Sequence, residues 1–169
     1  MSRAPRKTIL ITGASSGIGF EMARQFVGKG HDLAFCARRM DKLEQLKAGF
    51  LHSGGRVEVR ELEVNNHHQV ASVFSELADK FGGLDRIIVN AGIAGGSRIG
   101  TGEFDKNRLV LETNLISALA QIKAVLTLFR ARAHGYLALI SSLSGRNCIS
   151  RLMATYSARK AGLSYWESP

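Results

Sequence analysis

Short β-rich apolar runs alternate with longer stretches of helical period along the whole chain, and few folds satisfy that order. "KTILIT" (Lys7–Thr12), "HDLAFCA" (His31–Ala37), "RVEVREL" (Arg56–Leu62), "RIIVN" (Arg86–Asn90) and "YLALIS" (Tyr136–Ser141) read as strands. Helices fall between them: Gly17–Gly30 with Ile18, Met22, Phe26 and Val27 on one side, Asp41–His52 begun by an Asp41 cap, and Asn66–Gly82 capped by Asn66. A long helix with room for a bend spans Phe104–Ala133, and a last one carries Tyr156 and Lys160. Strands buried on both faces imply a parallel sheet covered by helices, and right-handed crossovers make that sheet doubly wound. No repeat or linker interrupts the 169 residues, so residues 1–169 are expected to form one domain. A doubly wound domain without a nucleotide shares the pattern, and only local motifs separate the two.

Composition narrows the partners. The net charge is +9, but Lys and Arg are scattered without interleaved aromatics, which is the pattern of a solvated face and not of a nucleic-acid surface. Cys36 and Cys148 form no spacing motif and read as free thiols in a reducing compartment. "MSRAPRK" is followed by too short an apolar run for a signal sequence, and no run is expected to span a membrane, so the cytoplasm is the default location. His67 and His68 open a helix without partners at metal-ligand spacing, so no metal is expected.

Between the first strand and the first helix lies "TGASSGIG" (Thr12–Gly19). Gly13 permits a sharp turn at the strand end, Gly17 lets backbone come close to a ligand, and Gly19 lets the helix pack on the sheet. Free N–H groups and the helix dipole then face an anion such as a pyrophosphate, with Ser15 and Ser16 adding hydroxyl donors. The spacing is neither the common dinucleotide fingerprint nor a Walker loop. Near the other end, Tyr156 and Lys160 stand four apart, on one helix face. A tyrosine beside a fixed positive charge is a candidate proton donor.

"TGASSGIG", "NAG" (Asn90–Gly92), Asn114 in the long helix, "ISS" (Ile140–Ser142) and "YSARK" occur in this order from Thr12 to Lys160. Together they resemble the short-chain dehydrogenase/reductase family. The resemblance implies a Rossmann-like sheet of strand order 3-2-1-4-5 and a nicotinamide dinucleotide held by Gly13, Ser15, Ser16, Gly17, Ile18 and Gly19. It implies a small carbonyl or alcohol substrate, with Tyr156 as proton donor and acceptor and Lys160 lowering its pKa and binding the cofactor ribose. Ser142 would hold the carbonyl oxygen, with Ser141 and Ser144 in reserve, and Asn114 would help relay protons from Lys160. Asn90, Ala91 and Gly92 would border the cofactor, Glu63 or the backbone of Val64 would meet the adenine, and a homo-oligomer is implied.

Charge suggests which dinucleotide. An acid at the end of the second strand reads a ribose 2′-hydroxyl; here Arg38 and Arg39 stand there, and the next acid is Asp41. Each could grip a 2′-phosphate with charge-assisted hydrogen bonds worth roughly 1.5–3 kcal/mol. NADP(H) is expected over NAD(H). Members of the family carry further strands beyond the tyrosine helix, so the chain is expected to lack the usual sixth and seventh strands and the substrate-covering segment. A non-catalytic dinucleotide-binding or interaction remnant is therefore the alternative to an active reductase.

Overall fold

The computed structural model of the protein describes residues 6–98, 100, 102–142, 155, 158 and 162. Five parallel strands, β1 (Thr8–Thr12), β2 (Asp32–Ala37), β3 (Val57–Glu61), β4 (Arg86–Val89) and β5 (Tyr136–Leu139), form one sheet in the order β3-β2-β1-β4-β5. This is the doubly wound, Rossmann-like order that the resemblance implies. Ile9 and Ile11 of β1 pack on one face with Phe35, Ala23, Val27 and Leu43. Leu10 points to the other, among Cys36, Phe74, Leu77, Ile87 and Val125. Both faces are dry, which is why these strands read as unbroken apolar runs.

Helices α1 (Gly17–Gly28), α2 (Met40–Gly49) and α3 (His67–Phe81) cover the sheet, followed by α4 (Phe104–Leu111), a π-helical stretch (Glu112–Ile116) and α5 (Ser117–Arg132). α3 is capped as its sequence indicates: the Asn66 side chain accepts from the Gln69 N–H, and Gly82 closes the helix at φ 71°. The buried stripe of α1 differs from expectation. Gly19, Ala23 and Val27 face the sheet, whereas Ile18 is 63% exposed. Small residues at positions 19 and 23 let the helix sit close on the strands, which turns Ile18 outward. α2 begins one residue early, with Arg39 at the N-cap position, so Asp41 lies inside the first turn where its charge still suits the macrodipole.

The long helix is interrupted by the π-helical stretch, the kind of place where a helix can bend. Contrary to the sequence expectation, Phe104–Arg132 is long and apolar enough to cross a membrane by length and composition. Here Val125 and Phe129 of α5 pack with Phe74 and Leu77 of α3 and with Ile87 of the sheet. The helix ends on Ala133 in the left-handed region, at φ 56°.

Candidate functional site

The glycine turn closes the carboxyl end of β1. The Gly13 N–H donates to the Cys36 carbonyl at 2.7 Å, and φ is +69°. A Cβ on Gly13 would stand 2.7 Å from the Ala91 Cα, so this glycine both turns the chain and lets the end of β4 approach. A Cβ on Gly19 would stand 2.6 Å from the Asn90 Nδ2 and from the Gly13 carbonyl oxygen. Gly17 differs: its φ is +60°, and nothing lies within 4 Å of where a Cβ would be, so its backbone faces open space. Ser16 occupies the N-cap of α1 in extended conformation without a side-chain cap bond, and the first turn carries no acid. The first N–H groups of α1 are therefore left for an anion. Ile18, proposed from the motif, projects outward beside them.

Asn90 braces this turn across the sheet. Its Nδ2 donates to the carbonyls of Thr12 at 3.0 Å and Gly13 at 3.2 Å. The N–H groups of Asn90 and Ala91 both donate to the Thr12 Oγ1, at 3.1 and 3.2 Å. Thr12 is wholly buried and is a site-building residue that the motif alone did not single out.

Next to the turn, a cleft of about 150 Å³ opens at the carboxyl ends of the strands. Gly13, Ser15, Ser16, Arg38, Arg39, Glu63, Val64, Ala91 and Gly92 line it, all of them singled out from sequence, together with Ala37, Leu62, Ile93 and Thr113, which were not. This is the place where open α/β sheets bind ligands. The Arg39 Nη2 donates to the hydroxyls of Ser15 at 3.1 Å and Ser16 at 3.3 Å, so its guanidinium hangs over the glycine turn. Arg38 forms a looser ion pair with Glu63, at 3.7 Å, and Glu63 also accepts from the Asn65 N–H at 3.2 Å. Open N–H groups, serine hydroxyls and guanidinium groups suit a phosphorylated ligand, and Ala37, Leu62 and Val64 offer apolar contact to a flat ring. The residues present fit a dinucleotide.

The loop after β4 is held from the long helix by asparagines. Asn114, 2% exposed and inside the π-helical stretch, accepts from the Ile93 N–H at 2.7 Å and donates to the Ile93 carbonyl at 2.9 Å. Its neighbour Thr113 accepts from the Asn65 Nδ2 at 3.0 Å, tying the ends of β3 and the long helix together. Ser141 and Ser142 lie half-buried just beyond β5, on the same edge of the sheet as the cleft. Tyr156, Lys160 and the reserve Ser144 lie outside the described residues.

Comparison with known proteins agrees with this architecture. Residues 7–167 match the family described as short chain dehydrogenase. An uncharacterised oxidoreductase of Mycobacterium tuberculosis strain H37Rv is 49% identical over 160 residues, covering 94% of this chain and 63% of that protein. The chain thus spans less than two thirds of the length of this curated relative. An actinorhodin polyketide ketoreductase solved with NADPH is 28% identical at a TM-score of 0.88, covering 95% of this chain and 62% of that one. An NAD+-bound xylitol dehydrogenase, 24% identical at a TM-score of 0.89 with coverages of 95% and 62%, shares the fold. With its sheet order, its glycine turn and these matches together, the chain belongs to the short chain dehydrogenase family.

Proposed function

We propose that the chain is a single domain of an NADP(H)-dependent oxidoreductase that interconverts a small carbonyl compound and a secondary alcohol. The observation that carries this reading is the pair Arg38 and Arg39 on the rim of the cleft, with Arg39 drawn over the glycine turn by Ser15 and Ser16 and no acid at the end of β2. An acid there would accept from a ribose 2′-hydroxyl and repel a 2′-phosphate; guanidinium groups do the reverse. Gly17 and the open end of α1 would take the pyrophosphate, Val64 and Glu63 the adenine, and Ala91 and Gly92 the middle of the cofactor.

When bound, NADP(H) supplies the hydride chemistry. The protein supplies proton and placement. Tyr156 gives its proton to the oxygen of the developing alkoxide. A free phenol has a pKa near 10, and the Lys160 ammonium, four positions on in the sequence, would favour the phenolate and bring proton exchange toward neutral pH. The Ser142 hydroxyl donates to the same substrate oxygen, and Lys160 also meets the ribose. Asn114 holds the loop at Ile93 and would help relay protons from Lys160. Ile116, Leu119 and Leu126, exposed along the long helix, supply apolar surface for a homo-oligomer.

Titration with NADPH and NADH, followed by carbonyl-dependent NADPH oxidation, tests the reading. NADPH is expected to bind more tightly, and Arg39→Glu to reverse the order; tighter NADH binding by the unaltered chain would refute the arginine argument. Tyr156→Phe is expected to remove turnover while NADPH still binds. Binding without any turnover in the unaltered chain would favour a non-catalytic dinucleotide-binding role.

A further inference from the structure

Asn107 of α4 has every strong position of its side-chain oxygen in use. The Oδ1 accepts from the Ser97 N–H at 2.8 Å and from the Thr155 hydroxyl at 2.9 Å, filling both lone pairs. The Nδ2 donates to the Ser97 Oγ at 3.2 Å, and that hydroxyl donates onward to the Glu103 carbonyl at 2.8 Å. One amide thus joins the loop after β4, the start of α4 and Thr155. Thr155 is only 6% exposed, so its hydroxyl is one that burial obliges to find a partner.

Thr155, Ala158 and Gly162 are helical, and Gly162 provides a second seat: a Cβ there would lie 3.1 Å from a methyl of Leu115. Thr155 and Gly162 are seven residues apart, whereas their partners Asn107 and Leu115 are eight apart. At roughly 100° per residue, seven steps return to within about 20° of the starting face, but eight overshoot it by about 80°. The π-helical stretch Glu112–Ile116 starts after Asn107 and contains Leu115, and its wider turn reduces that overshoot, bringing the two seats toward one helix face.

Thr155 immediately precedes Tyr156 in the chain, and successive Cα atoms are a fixed ~3.8 Å apart. We propose that Asn107, acting through the Thr155 hydroxyl, is a positioning residue for the Tyr156 phenol; this rests on the reading of Tyr156 as proton donor. The same amide holds Ser97, so the loop after β4 and the proton donor are set in one register. A misplacement of about 1 Å at a reacting group can cost on the order of a hundredfold in rate.

Thr155→Val keeps the side-chain shape without the hydroxyl, and Thr155→Ser keeps the hydroxyl. In hydrogen exchange, Thr155→Val and Asn107→Ala are expected to speed the amides of Thr155, Ala158 and Gly162 by on the order of tenfold while β1 and β4 stay protected, with Thr155→Ser close to the unaltered chain. In turnover, Thr155→Val is expected to lower kcat by on the order of tenfold with KM for NADPH nearly constant. The limb of the pH profile set by Tyr156 moves to higher pH, because the phenol loses the favourable field of Lys160. Unchanged exchange in Thr155→Val overturns the positioning role alone. Turnover that survives in Tyr156→Phe overturns the proton-donor reading, and this role with it.

Discussion

At the scale of single residues, the site is built by side chains that hold backbone. Asn90 is the clearest case, since its amide satisfies the carbonyls of Thr12 and Gly13 at the turn. Asn90→Ala leaves those acceptors short of a donor and is expected to cost about 1–3 kcal/mol in urea unfolding and to weaken NADPH binding in the same preparation. Cys36 makes a different prediction. Burial pushes its thiol up to about 12 from 9.0, so the folded chain keeps a proton that the unfolded chain releases. The stabilisation is therefore complete below about pH 9 and is lost as pH rises toward 12. Cys36→Ala is expected to flatten the fall of the urea midpoint across that alkaline window, whatever its effect at neutral pH. The glycines and serines of "TGASSGIG" were legible in the sequence because turn chemistry is local. Thr12, Ile93 and Thr113 were not, because their roles come from partners 78, 21 and 48 positions away.

At the scale of elements, hydrophobic period located each strand and helix, but the ends and one face were decided by packing. Ile18 looked like part of the buried stripe of α1 until Gly19 and Ala23 showed how closely that helix lies on the sheet. The π-helical stretch was foreseen only as a bend, since one inserted residue hardly disturbs an apolar pattern spread over so long a helix. The end of α5 carries a correctable fault. Ala133 sits at φ 56°, a conformation in which a Cβ is crowded and glycine is not. Ala133→Gly is expected to stabilise the fold by up to about 1 kcal/mol, which for a chain of this size raises Tm by about 2–4 °C in a thermal melt.

At the scale of the whole molecule, the order β3-β2-β1-β4-β5 puts the ends of β1, β2, β3 and β4 around one cleft, and saturating that cleft should stabilise everything that forms it. NADPH at about a hundred times its Kd contributes about 2.7 kcal/mol and is expected to raise Tm by roughly 5–10 °C, with NADH at the same concentration giving a smaller rise. The brace between Thr12 and Asn90 reaches across 78 residues, and that separation has a consequence during synthesis. A nascent chain exposes its glycine turn early, yet the partner that shapes it is still to be translated. At roughly 5–20 residues per second, the ribosome needs about 4–16 s to supply it. Binding of the proposed dinucleotide is therefore expected to wait until β4 has emerged, and a ribosome-bound chain stalled before that point is expected to hold no nucleotide.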